Sequence, residues 1–97
     1  MRYLFKDAKN TMVITTKEIL DGEHPVTTVF HDLDDGMWQF LDGEELSEER
    51  AAIISLEEMS ETDDSVNDIA NLPLGGIACK KDGVWIVEFK YGGGVFF

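Results

Sequence analysis

Asp32-Leu33-Asp34-Asp35-Gly36 is the run whose residue types come nearest to a metal site, because alternating carboxylates before a glycine resemble the opening of a calcium loop. Such a loop needs glycine at its sixth position and a bidentate Glu at its twelfth. Counted from Asp32, the glycine comes fifth and the twelfth residue is Gly43, so the ligand set fails and a solvated turn is expected. His24 and His31 have no neighbouring Cys and no His-Glu-x-x-His spacing, so zinc lacks a ligand set and both are expected on the surface beside a strand. Carboxylate pairs such as Glu44 with Glu45, or Asp63 with Asp64, divide acid and base roles only where their environments push the two pKa values apart, and these acids read as exposed. Cys79 has Lys80 and Lys81 beside it, yet strand neighbours point to opposite faces and no His is placed to activate it; a buried structural thiol is expected. Gly75-Gly76 precedes a strand and lacks the Lys-Ser/Thr of a phosphate loop, which leaves it the simpler task of permitting the turn after Pro73. No catalytic residue, resident metal or cofactor is therefore expected.

With catalysis set aside, charge is the strongest signal. The 97 residues hold 20 acids and 8 bases for a net charge of −12, and 43% are hydrophobic. That apolar share is too rich for a disordered acidic chain, and the length is that of one domain. The acidity argues against nucleic acid, where affinity comes from clustered Lys and Arg displacing counterions. A single cysteine excludes an intrachain disulfide, and no run approaches the ~20 apolar residues of a membrane helix, so a cytoplasmic protein without a membrane partner is expected. From Glu18 to Asp68 there are seventeen acids and one base, Arg50, for a net −16, whereas the flanks carry +4. An asymmetry of this size creates a field that steers a cationic partner, although acidic loops also serve solubility alone.

The elements that must position these groups follow from pattern. Met12–Thr16 is β-branched and reads as a short strand, followed by Lys17–Leu20 and a turn at Asp21-Gly22. Val26–His31 and Met37–Leu41 form the best hairpin candidate around the acidic turn, with Trp38 and Phe40 on one face. Glu44–Arg50 is a loop or a single helical turn from Ser47. Ser55 and Glu58 make an S-x-x-E capping box, which predicts a helix starting near Leu56 with a strand before it. Asp63 or Asp64 caps a second helical stretch with Val66, Ile69, Ala70 and Leu72 on one face, stopped by Pro73. Leu74–Lys80 and Val84–Tyr91 form a terminal hairpin about Lys81-Asp82-Gly83, whose Trp85, Val87, Phe89 and Tyr91 side is expected to face the core. Gly92-Gly93-Gly94 breaks that ladder, and Val95-Phe96-Phe97 either tucks into the domain, augments a sheet edge or frays. The sum is a single α+β domain over 1–97, with a mainly antiparallel β-sheet, one or two short helices packed on one face, and loose ends at 1–11 and 92–97.

Trp38-Gln39-Phe40-Leu41-Asp42-Gly43, Ile54-Ser55-Leu56-Glu57-Glu58-Met59, Ile69-Ala70-Asn71-Leu72-Pro73-Leu74-Gly75 and Trp85 together resemble a family of small acidic bacterial proteins. It was first described as a domain of unknown function and later grouped with immunity proteins of polymorphic toxin systems. The resemblance spans roughly Met12 to Phe89, implies an α+β fold and a toxin-neutralising role, and carries over no catalytic residue. The Gly-rich apolar tail departs from the family pattern.

Three functions compete. The first is a non-catalytic, immunity-like module in which Asp32, Asp34, Asp35, Asp42, Glu44, Glu45 and Glu48 meet a basic protein partner such as a toxin domain and Trp38 or Phe40 anchors the contact. The second is small-molecule or metal binding by the same acidic loops, with His31. The third is a housekeeping interaction domain. The partner's identity and the oligomeric state are not encoded in any residue pattern.

Overall fold

A computed structural model of the chain describes residues 2–89. The expectations for Lys90, Tyr91, the glycine break and Val95-Phe96-Phe97 lie outside the described residues. Six strands, β1 Met12–Thr16, β2 Thr28–His31, β3 Trp38–Leu41, β4 Ala51–Ser55, β5 Gly76–Lys81 and β6 Val84–Phe89, form one sheet in the order β4-β1-β3-β2-β5-β6. Every neighbouring pair is antiparallel except β1 with β3, which run parallel with Ile14 opposite Gln39. The fold is α+β with a mainly antiparallel sheet, as expected, and the one parallel pair makes that sheet mixed.

Local sequence explains most elements. Ser55 caps α2, Leu56–Thr62, by accepting from the Glu58 amide at 3.1 Å, and Asp63 caps a 3₁₀ helix, Asp64–Ile69, by accepting from the Ser65 amide at 3.0 Å. The second stretch is thus tighter and shorter than an α-helix to Leu72, but Val66, Ile69, Ala70 and Leu72 are all buried. The strand ends at Thr16 as expected, and Lys17–Leu20 is a helical turn, α1, because the Thr16 hydroxyl accepts from the Ile19 amide at 3.2 Å. Asp82 and Gly83 both take positive φ (52° and 78°), the geometry of a two-residue hairpin turn.

Registers divide the strand residues into two faces. On one, Val13, Val29, Trp38, Phe40, Ile54 and Ala78 form the core with Ile19 of α1, Leu56 and Met59 of α2, Val66 and Ile69 of the 3₁₀ helix, and Phe5. Residues 2–11, expected to be a loose end, lack regular structure yet are anchored. The Phe5 ring stands edge-on to Trp38 with centroids 5.2 Å apart, the Leu4 amide donates to Asn67 Oδ1 at 2.9 Å, and the Ser60 hydroxyl donates to the Arg2 carbonyl at 2.9 Å. Buried Asn67 completes the clasp by donating to Ser60 Oγ at 2.9 Å.

Among the described residues, no helix lies on the other face. Registers place Ile53, Ile14, Gln39, Phe30, Ile77 and Glu88 in one row across six strands, and Leu41, Thr28, Cys79 and Ile86 in the next. Ile53 is 66% exposed, and Met12, Val84 and Ile86 are exposed as well. In β6 the side of Trp85 and Val87 is the core-facing one, as expected: Trp85 packs on the core, and Val87 is exposed because β6 is an edge strand among the described residues.

Candidate partner-binding surface

The hairpin of β2 and β3 decides where the acidic loops go. Residues 32–37 join the two strands at one end of the sheet, and residues 42–50 leave β3 at the other. Asp32, Asp34 and Asp35 are therefore separated from Glu44, Glu45 and Glu48 by the length of a strand, and the structure does not bring the expected site residues together. Asp32 accepts from Gln39 Nε2 at 2.7 Å, and Asp35 accepts from the Met37 amide at 2.9 Å, which are turn-forming contacts. Trp38 is 1% exposed and stacks on His31, with centroids 3.8 Å apart, and on Phe40. It is a core residue with no face to offer a partner. His31 is half-buried by this stacking and donates from Nδ1 to the Leu72 carbonyl at 2.7 Å, so it holds β2 to the segment before β5 and is not the surface residue expected.

Asp42 differs even more from expectation. Its carboxylate is fully buried, and its Oδ2 takes Arg50 Nη2 and, at 2.8 Å, the Nδ1–H of His24. Its other oxygen accepts from the Glu44 amide at 3.0 Å. Arg50 reaches further, from Nε to Glu18 at 3.2 Å and from Nη1 to the Glu45 carbonyl, while its own carbonyl accepts from the Lys17 amide at 2.8 Å. One guanidinium thus ties the 42–50 loop to α1. The sequence held the signal for this, since Arg50 is the only base between Glu18 and Asp68.

Electrostatics in this cluster favour its ionised form. Burial works to raise the Asp42 pKa, but the hydrogen bond from His24, the Glu44 amide and the charge of Arg50 outweigh it and hold it below the usual 3.8. The hydrogen bond to Asp42 lifts His24 above its usual 6.5, with the charges of Asp42 and Glu18 adding to it against burial and Arg50. A raised histidine stabilises the fold fully below ~6.5 and loses that contribution as pH climbs through its folded-state value. Wild type is accordingly expected to exceed His24→Gln in stability by more at pH ~5.5 than at pH ~8.5, read from urea midpoints at both. An advantage that is constant or larger at the alkaline end would contradict the assignment.

The pinned end of the sheet carries six exposed acids: Asp21 and Glu23 after α1, and Glu44, Glu45, Glu48 and Glu49 on the loop. None of them enters an ion pair among the described residues. Asp21, Glu23 and Glu49 are the members the sequence did not single out, because only folding brings α1 beside the end of β3.

Among the described residues, no group of three His, Cys, Asp or Glu side chains is placed to hold a metal ion. Lys80 Nζ donates to Ser65 Oγ at 2.8 Å while lying 4.8 Å from the Trp85 ring centroid, and Ser65 donates to Asp63 at 2.7 Å. A donating ammonium has no lone pair to take the serine proton, so this pair braces β5 against the 3₁₀ helix. A shallow pocket of about 70 Å³ between Arg2, Tyr3, Lys9, Glu57, Ser60 and Glu61 is well below the ~300 Å³ at which ligand sites begin. Cys79 is half-buried on the sheet face away from the helices, not the fully buried thiol expected, and no helix among the described residues is long and apolar enough to cross a membrane. No family model, no curated protein and no solved structure matches the chain.

Proposed function

We propose that this chain is a non-catalytic protein-binding domain whose partner is a basic protein, met at the end of the sheet formed by the 42–50 loop and the turn after α1. The observation that carries this reading is the contrast within the loop: Arg50 and Asp42 fix its backbone from inside, while Glu44, Glu45, Glu48 and Glu49 stand in solvent with no ion pair among the described residues. A prearranged array of unpaired carboxylates loses little entropy on binding and accelerates encounter with a cationic surface. Asp42 serves the loop and not the partner, and the acids of residues 32–35 lie at the opposite end. The family resemblance gives the proposal its most specific form, a toxin domain as the basic partner.

The test begins with a partner captured from the native cell by the tagged full chain and identified by mass spectrometry. Its association rate with the Glu44→Gln/Glu45→Gln/Glu48→Gln/Glu49→Gln variant is expected to fall by about tenfold or more at low salt, and the wild-type rate to fall as ionic strength passes ~0.1 M, where the screening length is ~10 Å. A partner that is not basic, or a rate indifferent to both changes, removes the basis of the proposal.

A further inference from the structure

Strand β4 has β1 on one side and, among the described residues, no strand on the other. Its ladder to β1 fixes which of its backbone groups point outward. The Lys17 amide donates to the Arg50 carbonyl at 2.8 Å and the Leu56 amide to the Thr11 carbonyl at 2.8 Å, so in this antiparallel register the hydrogen-bonded pairs are those of Thr11, Val13, Thr15 and Lys17. Ile53, opposite Ile14, falls in the alternate set with Ala51 and Ser55, whose amides and carbonyls face away from β1. Two of these groups are used locally: the Ala51 amide donates to the Ser47 carbonyl at 2.9 Å, and the Ser55 carbonyl, at the N-cap, accepts the first bond of α2. The Ala51 carbonyl, both groups of Ile53 and the Ser55 amide remain, two donors and two acceptors at strand spacing with no partner among the described residues. Edge strands ordinarily blunt such a row with Lys, Pro or a bulge. Ala51-Ala52-Ile53-Ile54-Ser55 contains no charge and no proline, and Ile53 is 66% exposed.

We propose that the outer edge of β4 takes an extended segment of the basic partner as an added strand, with an apolar side chain beside Ile53 and Lys or Arg toward each end. This rests on the basic-partner reading above and gives it a binding mode: main-chain hydrogen bonds supply affinity, and the flanking side chains supply choice. Charge selects the occupant. Glu48 and Glu49 precede the strand and Glu57 and Glu58 follow it; all four are exposed, and among the described residues only Glu57 enters an ion pair, with Lys9 at 3.7 Å. A cationic strand therefore meets opposite charge at both ends. A second copy does not, because Glu48 and Glu49 stand as far before Ile53 as Glu58 and Glu57 stand after it. Two chains paired antiparallel about Ile53 would set acid against acid at both ends, which guards the bare edge against self-association.

The experiment titrates the full chain, followed by amide NMR, with the peptide Lys-Lys-Thr-Thr-Val-Thr-Thr-Lys-Lys, with the same peptide N-methylated at its valine, and with a version carrying Glu for every Lys. The plain basic peptide is expected to shift the Ile53 and Ser55 amides and to slow their exchange with solvent. N-methylation keeps the charge and removes one main-chain donor, so its Kd is expected to be weaker by about tenfold. Ile53→Pro is expected to do the same from the other side, since proline is tolerated where an edge strand turns its N–H to solvent. Equal binding by the plain and N-methylated peptides overturns the added strand, and shifts confined to Glu44 to Glu49 would then leave the acidic loop alone as the site. Equal binding by the acidic peptide, or none by the plain basic one, overturns it as well, and the basic-partner reading is then judged on the association rates of the captured partner. A chain that dimerises by light scattering, with Ile53 shifts that depend on its own concentration, makes a second copy the occupant and also overturns the proposal. If Ile53→Pro does not fold, the N-methylated peptide on the wild-type chain decides.

Discussion

Arg50→Met is expected to lower the free energy of unfolding by ~3 kcal/mol, a large loss for a loop residue. The cause lies in the partner left behind. Asp42 has a fully buried carboxylate, and without the guanidinium it would keep only His24, the Glu44 amide and a long contact to Thr16. Breaking a buried pair on one side leaves an uncompensated charge, which costs ~3–5 kcal/mol; the lower end applies because Arg50 is itself partly solvated and His24 remains. The loop would also lose the bonds from Arg50 to Glu45 and Glu18 that hold it to α1. With m-values of ~1–3 kcal/mol/M for small proteins in urea, the midpoint should drop by more than ~1 M, and the deficit should widen at alkaline pH as His24 loses its proton. Glu48→Gln and Glu49→Gln, on the same loop but pointing to solvent, should move stability by less than ~0.5 kcal/mol. An Arg50→Met protein as stable as these two would show that the cluster does not hold the loop.

The contrast between Arg50 and its acidic neighbours marks the border of what the sequence discloses. Features set by adjacent residues were legible. Ser55 with Glu58 locates the start of α2 and the end of β4, Asp82-Gly83 locates the last turn, and the alternation of Trp38 with Phe40 identifies the buried side of β3. Features set by chain reversal were not. Pairing of β1 with β3 in parallel depends on β3 inserting between β1 and β2, which no local pattern encodes. That insertion brings α1 against the 42–50 loop, makes Asp42 an interior residue and assembles the exposed acids of Asp21 to Glu49 at one end. Charge counted along the chain treated Asp32 to Asp35 and Asp42 to Glu49 as one surface, but a hairpin puts the loops on either side of its second strand at opposite ends. In β6 alternation did identify the aromatic side as the core-facing one, and Trp85 packs there; what it does not encode is that β6 lies at the sheet's edge among the described residues, which leaves Val87 exposed.

Trp38→Ala is expected to cost ~4 kcal/mol, within the ~3–5 kcal/mol range for emptying a buried aromatic site and a large fraction of the ~5–15 kcal/mol that holds a domain folded. The indole fills the centre of the core, between the Phe5 edge, the Phe40 ring and the imidazole of His31, and its removal would loosen the N-terminal arm together with the hairpin. Trp38→Phe separates volume from chemistry. The indole Nε1–H is buried without a hydrogen-bond partner among the described residues, so replacing it by a ring with no donor relieves a desolvated polar group while giving up part of the packing, and the net loss should be ~1–2 kcal/mol. These values bear on function because the sequence also allowed Trp38 to be an anchor for a partner. An anchor at an interface would tolerate Trp38→Ala with its stability intact and lose affinity instead. A core residue does the reverse: thermal midpoints fall in the order wild type, Trp38→Phe, Trp38→Ala, and any loss of binding by the Phe variant is recovered once it is compared under conditions where it is fully folded. Stability unchanged by Trp38→Ala would return this residue to the partner surface and displace the acidic loop as the main point of contact.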